Sequence, residues 1–336
     1  MTEVAKNKDP AGSRLVRAAA GWLFGLLFTI AAAIITIQLV NANMYGPQQA
    51  VRDYLQALQD GDGERALGLL RANLAQASPA LLDGDALKKS VEGLTDVHVA
   101  NPTMLAGGRV KVSVNYQLGG EPHSTDFTLE PAGVQWMFFN KWQFVPTSLP
   151  TLEVSVVNKN QAQINGVDVT MPNGKNTFAV LFPGSYQAGY QDKFFTAKPA
   201  TETVDSAQSN PTPIALLTEP SPELLSQVNG SLKSYLDQCA SQQVLLPSGC
   251  PLSHHSVQAV SGPIDWSITE YPKASISAYN GGWVIAPLMV KARIQYKEQD
   301  LGTGAYSNIN QEQPYGFTAK LNITGDTVTV TPVVDY

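Results

Sequence analysis

The residues with the types for chemistry are few. Cys239 and Cys250 have ten residues between them, and His254 and His255 follow closely. Two thiolates and two imidazoles can hold zinc, but this spacing matches no usual ligand pattern, and it is not the CxxC of a redox centre. In an oxidising compartment the two thiols pair instead. Closing so short a loop stabilises a fold by about 3 kcal/mol on the loop-entropy estimate. We therefore expect a Cys239–Cys250 disulfide and no metal. Asp60, Gly61, Asp62, Gly63 and Glu64 open like an EF-hand loop, but Arg71 stands at the twelfth position, where a bidentate glutamate belongs. The same glycines read as a helix break.

Acid–base work in a cavity needs paired polar groups, and Tyr54, Tyr116, His123 and Asp126 are the residues available. The competing reading has both tyrosines packing a core with their hydroxyls at its rim. Trp136 and Trp142 fall on neighbouring expected strands and either line a pocket with Tyr54 and Tyr116 or belong to the core. Trp266, Trp283 and Tyr296 pose the same choice. The phosphate-binding GxxxxGK[ST] and GxGxxG loops, the HExxH zinc helix and the GxSxG nucleophile elbow are absent from the sequence. No catalytic, cofactor-binding or metal-binding residue is assigned, and no cofactor.

What must position these residues is governed by the stretch Gly21–Val40, GWLFGLLFTIAAAIITIQLV. No charged residue occurs between Arg17 and Arg52. Such a run matches the span of a bilayer as a helix, and its Leu, Ile, Phe and Val residues outweigh Thr29, Thr36 and Gln38 on an insertion scale. Lys6, Lys8, Arg14 and Arg17 precede it, so the positive-inside rule puts the tail in the cytoplasm and the bulk of the chain outside. The alternative is a cleaved signal peptide, with Val40, Asn41 and Ala42 as a small-x-small site, although signal cores are shorter than this run. Gly21 and Gly25 form a GxxxG pattern, a candidate helix–helix contact.

The formal charge is −6 and the basic residues do not cluster outside the tail, which excludes a nucleic-acid footprint. Past a polar lead at Asn41–Gly46, Pro47 suits a first helical turn. Val51, Tyr54, Leu55 and Leu58 then make one apolar stripe. Asp62 can cap a second helix carrying Ala66, Leu67, Leu70 and Leu74, and a short helix is expected at Asp85–Glu92. From Thr95 the period changes to two. Strands are expected at Val110–Tyr116, Ser124–Leu129, Val134–Phe139 and Trp142–Val145, with Asn140 and Lys141 as a hairpin loop.

The segments VRDYLQALQDGDGERALGLL and NKWQFVP resemble NTF2-like (cystatin-like) modules, in which helices wrap against a curved sheet to form a cone and which often sit just outside a single membrane anchor in bacterial proteins. The resemblance covers about a hundred residues and implies a fold more than an activity. Thr151 to Pro220 reads as a small all-β module. There INGVDV and PGSYQ resemble PEGA-like surface domains, with turns at Asn165-Gly166 and Asn173-Gly174. Ser221-Pro222-Glu223 starts a helix with Leu224, Leu225, Val228, Leu232, Tyr235 and Leu236 on its buried face. The cysteine loop and six strands between Trp266 and Val333 follow. An anchor followed by tandem outer modules is similar to the teicoplanin-resistance-associated membrane protein family. The zinc-ribbon cysteines of that family are missing before the helix, and no site residue carries over.

The expected fold class is therefore α+β: a single N-terminal transmembrane helix, then helix-plus-antiparallel-sheet modules with a small all-β module between them. The expected segments are a cytoplasmic tail (1–20), the transmembrane helix (21–41), an NTF2-like domain (46–148), the small all-β domain (151–218) and a C-terminal α+β domain with the disulfide loop (220–336). The expected function is non-catalytic. An anchor contacts membrane lipid, and outer modules bind a cell-envelope component or partner protein. The alternatives are a small-ligand carrier or cavity enzyme in the NTF2-like domain, or an accessory subunit of a membrane complex.

Overall fold

In the computed structural model, which describes residues 10–43, 45–74, 76–135 and 139–334, the uncharged run forms most of helix α1 (Pro10–Asn43). Residues Ala19–Val40 have a mean hydropathy of 2.4, and none of that stretch is buried by protein. A helix satisfies its own backbone, as hydrocarbon requires. The two hydroxyls in the run are satisfied locally as well: Thr29 donates to the Leu26 carbonyl and Thr36 to the Ala32 carbonyl, each at 2.8 Å. With 34 residues, α1 is about 50 Å long at 1.5 Å per residue. It outlasts a bilayer core of about 30 Å, and the excess at its N-terminal end carries Arg14 and Arg17.

The chain divides into two compact units. The first comprises the chain up to Thr151 together with Phe178–Tyr186 and Thr203–Pro211; the second comprises Leu152–Thr177, Gln187–Glu202 and the chain from Thr212 onward. The stretch 151–218, expected as a module of its own, thus contributes segments to both.

In the first unit, α2 (Pro47–Asp60) buries Val51, Tyr54, Leu55 and Leu58, the expected stripe. It ends at Gly61 in the left-handed region (φ 71°), and a Cβ there would stand 2.7 Å from the Gly84 carbonyl oxygen. Asp62 caps α3 (Gly63–Leu70) by accepting from the Arg65 N–H. A Cβ on Gly63 would lie 1.9 Å from the Leu82 carbonyl oxygen, so this break needs glycine on steric grounds. Helix α4 (Gly84–Val91) follows. The strands β1 (Leu94–Val99), β2 (Thr103–Met104), β3 (Val110–Leu118), β4 (Glu121–Gln135) and β5 (Phe139–Phe144) form an antiparallel sheet in the order β1-β3-β4-β5, with β2 beside β3. Val110, Val112, Val114 and Tyr116 face the helices, buried, as their alternation requires.

Three expectations here need correction. Helix α3 stops at Leu70, with Arg71 left-handed at φ 53°, and Leu74 lies beyond it, 58 % exposed. Ser124–Leu129 and Val134–Gln135 belong to one strand, β4, with a register shift between Pro131 and Val134. Proline is tolerated there because β3 ends opposite Leu129, so Pro131 has a partner on one side only. Asn140 and Lys141 are not a hairpin loop; they lie inside β5, where Asn140 pairs with Val134.

The second unit carries most of the remaining strands. β6 (Thr151–Val156) pairs in parallel with β12 (Ile214–Leu216), and β9 (Lys175–Ala179) flanks β6. β7 (Gln161–Ile164) and β8 (Val167–Thr170) form a hairpin whose two loop residues, Asn165 and Gly166, have φ of 49° and 76°. That is the primed turn for which Asn-Gly is the signal. β8, β7, β10 (Gly184–Gln191), β11 (Phe195–Val204) and β13 (Thr218–Pro220) complete a five-stranded sheet. Helix α5 (Pro222–Ala240) begins at Ser221, whose hydroxyl accepts from the Leu224 N–H at 3.2 Å. It buries Leu224, Val228, Leu232, Leu236 and Cys239 in one core with the antiparallel sheet β14-β17-β18-β19. Those strands are β14 (Ala259–Glu270), β17 (Leu288–Gln299), β18 (Tyr306–Thr324) and β19 (Thr327–Val333), and β15 (Ile276–Tyr279) and β16 (Gly282–Ile285) form a separate hairpin.

Candidate functional site

The proposed pocket residues separate into core and surface. Tyr54 is wholly buried; its ring packs against Phe127, Phe144 and Phe182, and its hydroxyl donates to the Phe182 carbonyl oxygen at 2.6 Å. Burial pushes its pKa well above the usual phenol value, and the neighbouring Tyr186 adds to the shift. Tyr116 is buried too, and its hydroxyl meets the Thr125 hydroxyl at 2.9 Å, which in turn donates to the Asp205 carbonyl oxygen. Burial moves Tyr116 to about 12. Both phenols are locked in their neutral form and fill the space between helices and sheet, so they are packing residues and not cavity walls.

His123 stacks on Tyr116 with ring centroids 5.9 Å apart. Asp126 is engaged elsewhere, accepting from the Ser113 hydroxyl at 2.5 Å and from the Lys111 ammonium at 2.9 Å. Those contacts, Ser113 first, lower its pKa. The four residues therefore do not converge. The acidic break at Asp60–Glu64 is likewise occupied: Asp60 accepts from Gln56 at 2.8 Å, Asp62 caps α3, and Arg71 bonds Glu130 at 2.9 Å.

Trp142 has a different setting. It lines an open groove of about 680 Å³ together with Gln38 near the end of α1, Gly46 and Arg52 at the start of α2, Asn101 and Asn140. The Tyr45 ring stacks on Phe139 at 4.5 Å, which holds the lead after α1 against β5. Trp136 lies outside the described residues. Gly21 and Gly25 line a shallow concavity on α1 with Trp22, Leu26 and Thr29, and a Cβ on either glycine would meet nothing within 4 Å.

In the second unit Cys239 and Cys250 are joined, with their Cα atoms 5.7 Å apart. The loop they close brings up a polar network that sequence reasoning did not assemble. His254 Nε2 lies 3.0 Å from the Tyr296 hydroxyl, which donates to Glu298 at 3.2 Å. The single hydroxyl proton goes to the carboxylate, so the imidazole nitrogen is the donor to the tyrosine oxygen. Ser256 also donates to Glu298, at 2.9 Å. Serine, histidine and glutamate are present, but the hydroxyl proton faces the carboxylate and not the imidazole, so this order does not activate a nucleophile. His255 is exposed. Among the described residues, no three His, Cys, Asp or Glu side chains converge as metal ligands.

Trp266 and Trp283 are held as packing residues. Trp266 donates its indole N–H to the Val244 carbonyl at 2.8 Å, and Trp283 stacks on Phe195 at 4.0 Å. Asp192 ties the neighbouring turn, accepting from Lys159 at 2.6 Å, Tyr190 at 2.5 Å, and the backbone N–H groups of Phe194 and Phe195 at 2.8 and 2.6 Å. Burial works to raise its pKa, but these four donors outweigh it and hold the carboxyl below the usual range.

No family model matches the chain, and no curated protein matches it. Nothing in these comparisons supports the resemblance to the teicoplanin-resistance-associated family. Among solved structures, an Ntf2 like protein involved in plasmid conjugation aligns over 72 % of this chain and 79 % of its own, with 11 % identity and a TM-score of 0.14.

Proposed function

We propose that this chain is a single-pass membrane protein whose outer modules bind a cell-envelope component or a partner protein without catalysing a reaction. The observation that carries the proposal is the helix: Ala19–Val40 is uncharged and strongly apolar, with a mean hydropathy of 2.4, and none of its residues is buried in protein. Leaving so much hydrocarbon in water is unfavourable by roughly 25 cal/mol per Å², and a bilayer removes that cost. The basic residues before it support an N-terminus in the cytoplasm, and the Cys239–Cys250 bond supports an oxidising setting for the second unit. An NTF2-like first domain belongs to the same proposal, supported by three helices packed on an antiparallel sheet.

The enzyme or carrier alternative draws no support from the Tyr54 and Tyr116 region, where aromatic and aliphatic side chains fill the interior. The accessory-subunit alternative rests on the open face at Gly21 and Gly25. The test uses a chain tagged at both ends and expressed in cells. Full-length protein that resists carbonate extraction is the expected result. A shorter product without the N-terminal tag would show a cleaved signal instead.

A further inference from the structure

The groove beside Trp142 sits at a special depth. Gln38, one of its lining residues, is two positions before the end of the apolar span at Val40, about 3 Å along the axis. On the reading of α1 as a retained anchor, the groove therefore opens at the level of the lipid headgroups.

Its chemistry is selective. Arg52 is exposed, and among the described residues no carboxylate lies within ion-pair distance of it. A guanidinium matches a phosphate in a two-pronged fork. Gln38 and Asn101 supply neutral amides for hydroxyl groups, and the half-buried Trp142 offers the amphipathic ring that favours the membrane interface. Among the described residues no aspartate or glutamate lines the groove, so no carboxylate there would pair with the ammonium of a zwitterionic headgroup. A single cation also does not suit a polyanion. The volume of about 680 Å³ falls in the range of small-molecule sites, about 300–1,000 Å³. Next to the lining residues Gly46 and Asn140, Tyr45 stacks on Phe139.

We infer that this groove holds the headgroup of one anionic phospholipid of the phosphatidylglycerol type, with Arg52 on the phosphate, the Gln38 and Asn101 amides on the glycerol hydroxyls, and Trp142 against the glycerol backbone. This inference rests on the anchor reading. The test is native mass spectrometry of the full-length chain, extracted in mild detergent from membranes mixing phosphatidylglycerol and phosphatidylethanolamine. Wild type should retain one phosphatidylglycerol. R52Q should lose at least tenfold in that occupancy, R52K should fall between, and K320Q should match wild type. Equal retention by R52Q and W142A overturns the site, and so does equal occupancy by phosphatidylethanolamine. Displacement by millimolar inorganic phosphate would mark a soluble-anion site and overturns it too. Carbonate extraction of the same membranes separates the two claims. Release of wild type overturns anchor and lipid site together, whereas retention with unchanged lipid in R52Q overturns the lipid site alone.

Discussion

The Tyr54 hydroxyl donates to the carbonyl oxygen of Phe182 at 2.6 Å, joining residues 128 positions apart inside one buried core. Beside it, the Ala179 N–H donates to the Ser78 carbonyl at 2.9 Å. These contacts make Phe178–Tyr186 part of the first unit. Tyr54→Phe should cost about 1–3 kcal/mol, the price of an unpaired buried carbonyl, and Tyr54→Ala about 3–5 kcal/mol. Urea unfolding of the full chain in micelles, followed by circular dichroism, measures both. A neutral Tyr54→Phe would mean that the bond adds nothing.

The buried phenols set an alkaline limit. Tyr54, Tyr116 and Tyr186 all have pKa values raised in the fold, Tyr116 to about 12. A raised folded value gives stability that is complete below the unfolded phenol pKa of about 10 and is lost as pH rises through the folded values. Unfolding midpoints should therefore fall above about pH 10, and Tyr116→Phe should flatten that fall.

Asp192 sets the opposite limit. Its folded pKa is depressed, so its contribution is present above the unfolded value of about 4 and disappears as pH drops through the folded one. At neutral pH, Asp192→Asn should melt below wild type. Below about pH 4 the gap should begin to narrow, and it should close once the pH is below the depressed folded value. A constant gap across this range would contradict the assignment.

Replacing Cys239 and Cys250 together by serine should lower stability by about 3 kcal/mol. Thiol labelling of protein taken from its host without reductant should find no free sulfhydryl in the wild type; full labelling would remove the argument for an oxidising compartment.

Local signals were legible in the sequence where they concerned neighbours along the chain. Asn165-Gly166 marked its hairpin, Ser221-Pro222 and Asp62 marked helix starts, and the period-two run at Val110–Tyr116 marked a strand. What could not be read was long-range. Nothing near Phe182 announces that it will cover Tyr54, and nothing near His254 announces Tyr296 and Glu298. Leu74 continues the helical period, yet the helix ends because Arg71 turns left-handed and spends its guanidinium on Glu130 and the Phe144 carbonyl. Asn140-Lys141 looked like a turn because polar residues punctuate loops, but a strand with one wet face accepts them equally. At the groove, Trp142 was singled out as an aromatic; Arg52 entered only as the first charge after the apolar run, since its company with Trp142 depends on how β5 meets the start of α2.

Membrane topology tests the account most directly. Protease added outside intact cells or spheroplasts should destroy a C-terminal epitope while leaving an N-terminal epitope on a short membrane-bound fragment. A C-terminal epitope that survives until the membrane is permeabilised would place the bulk of the chain inside and contradict the account.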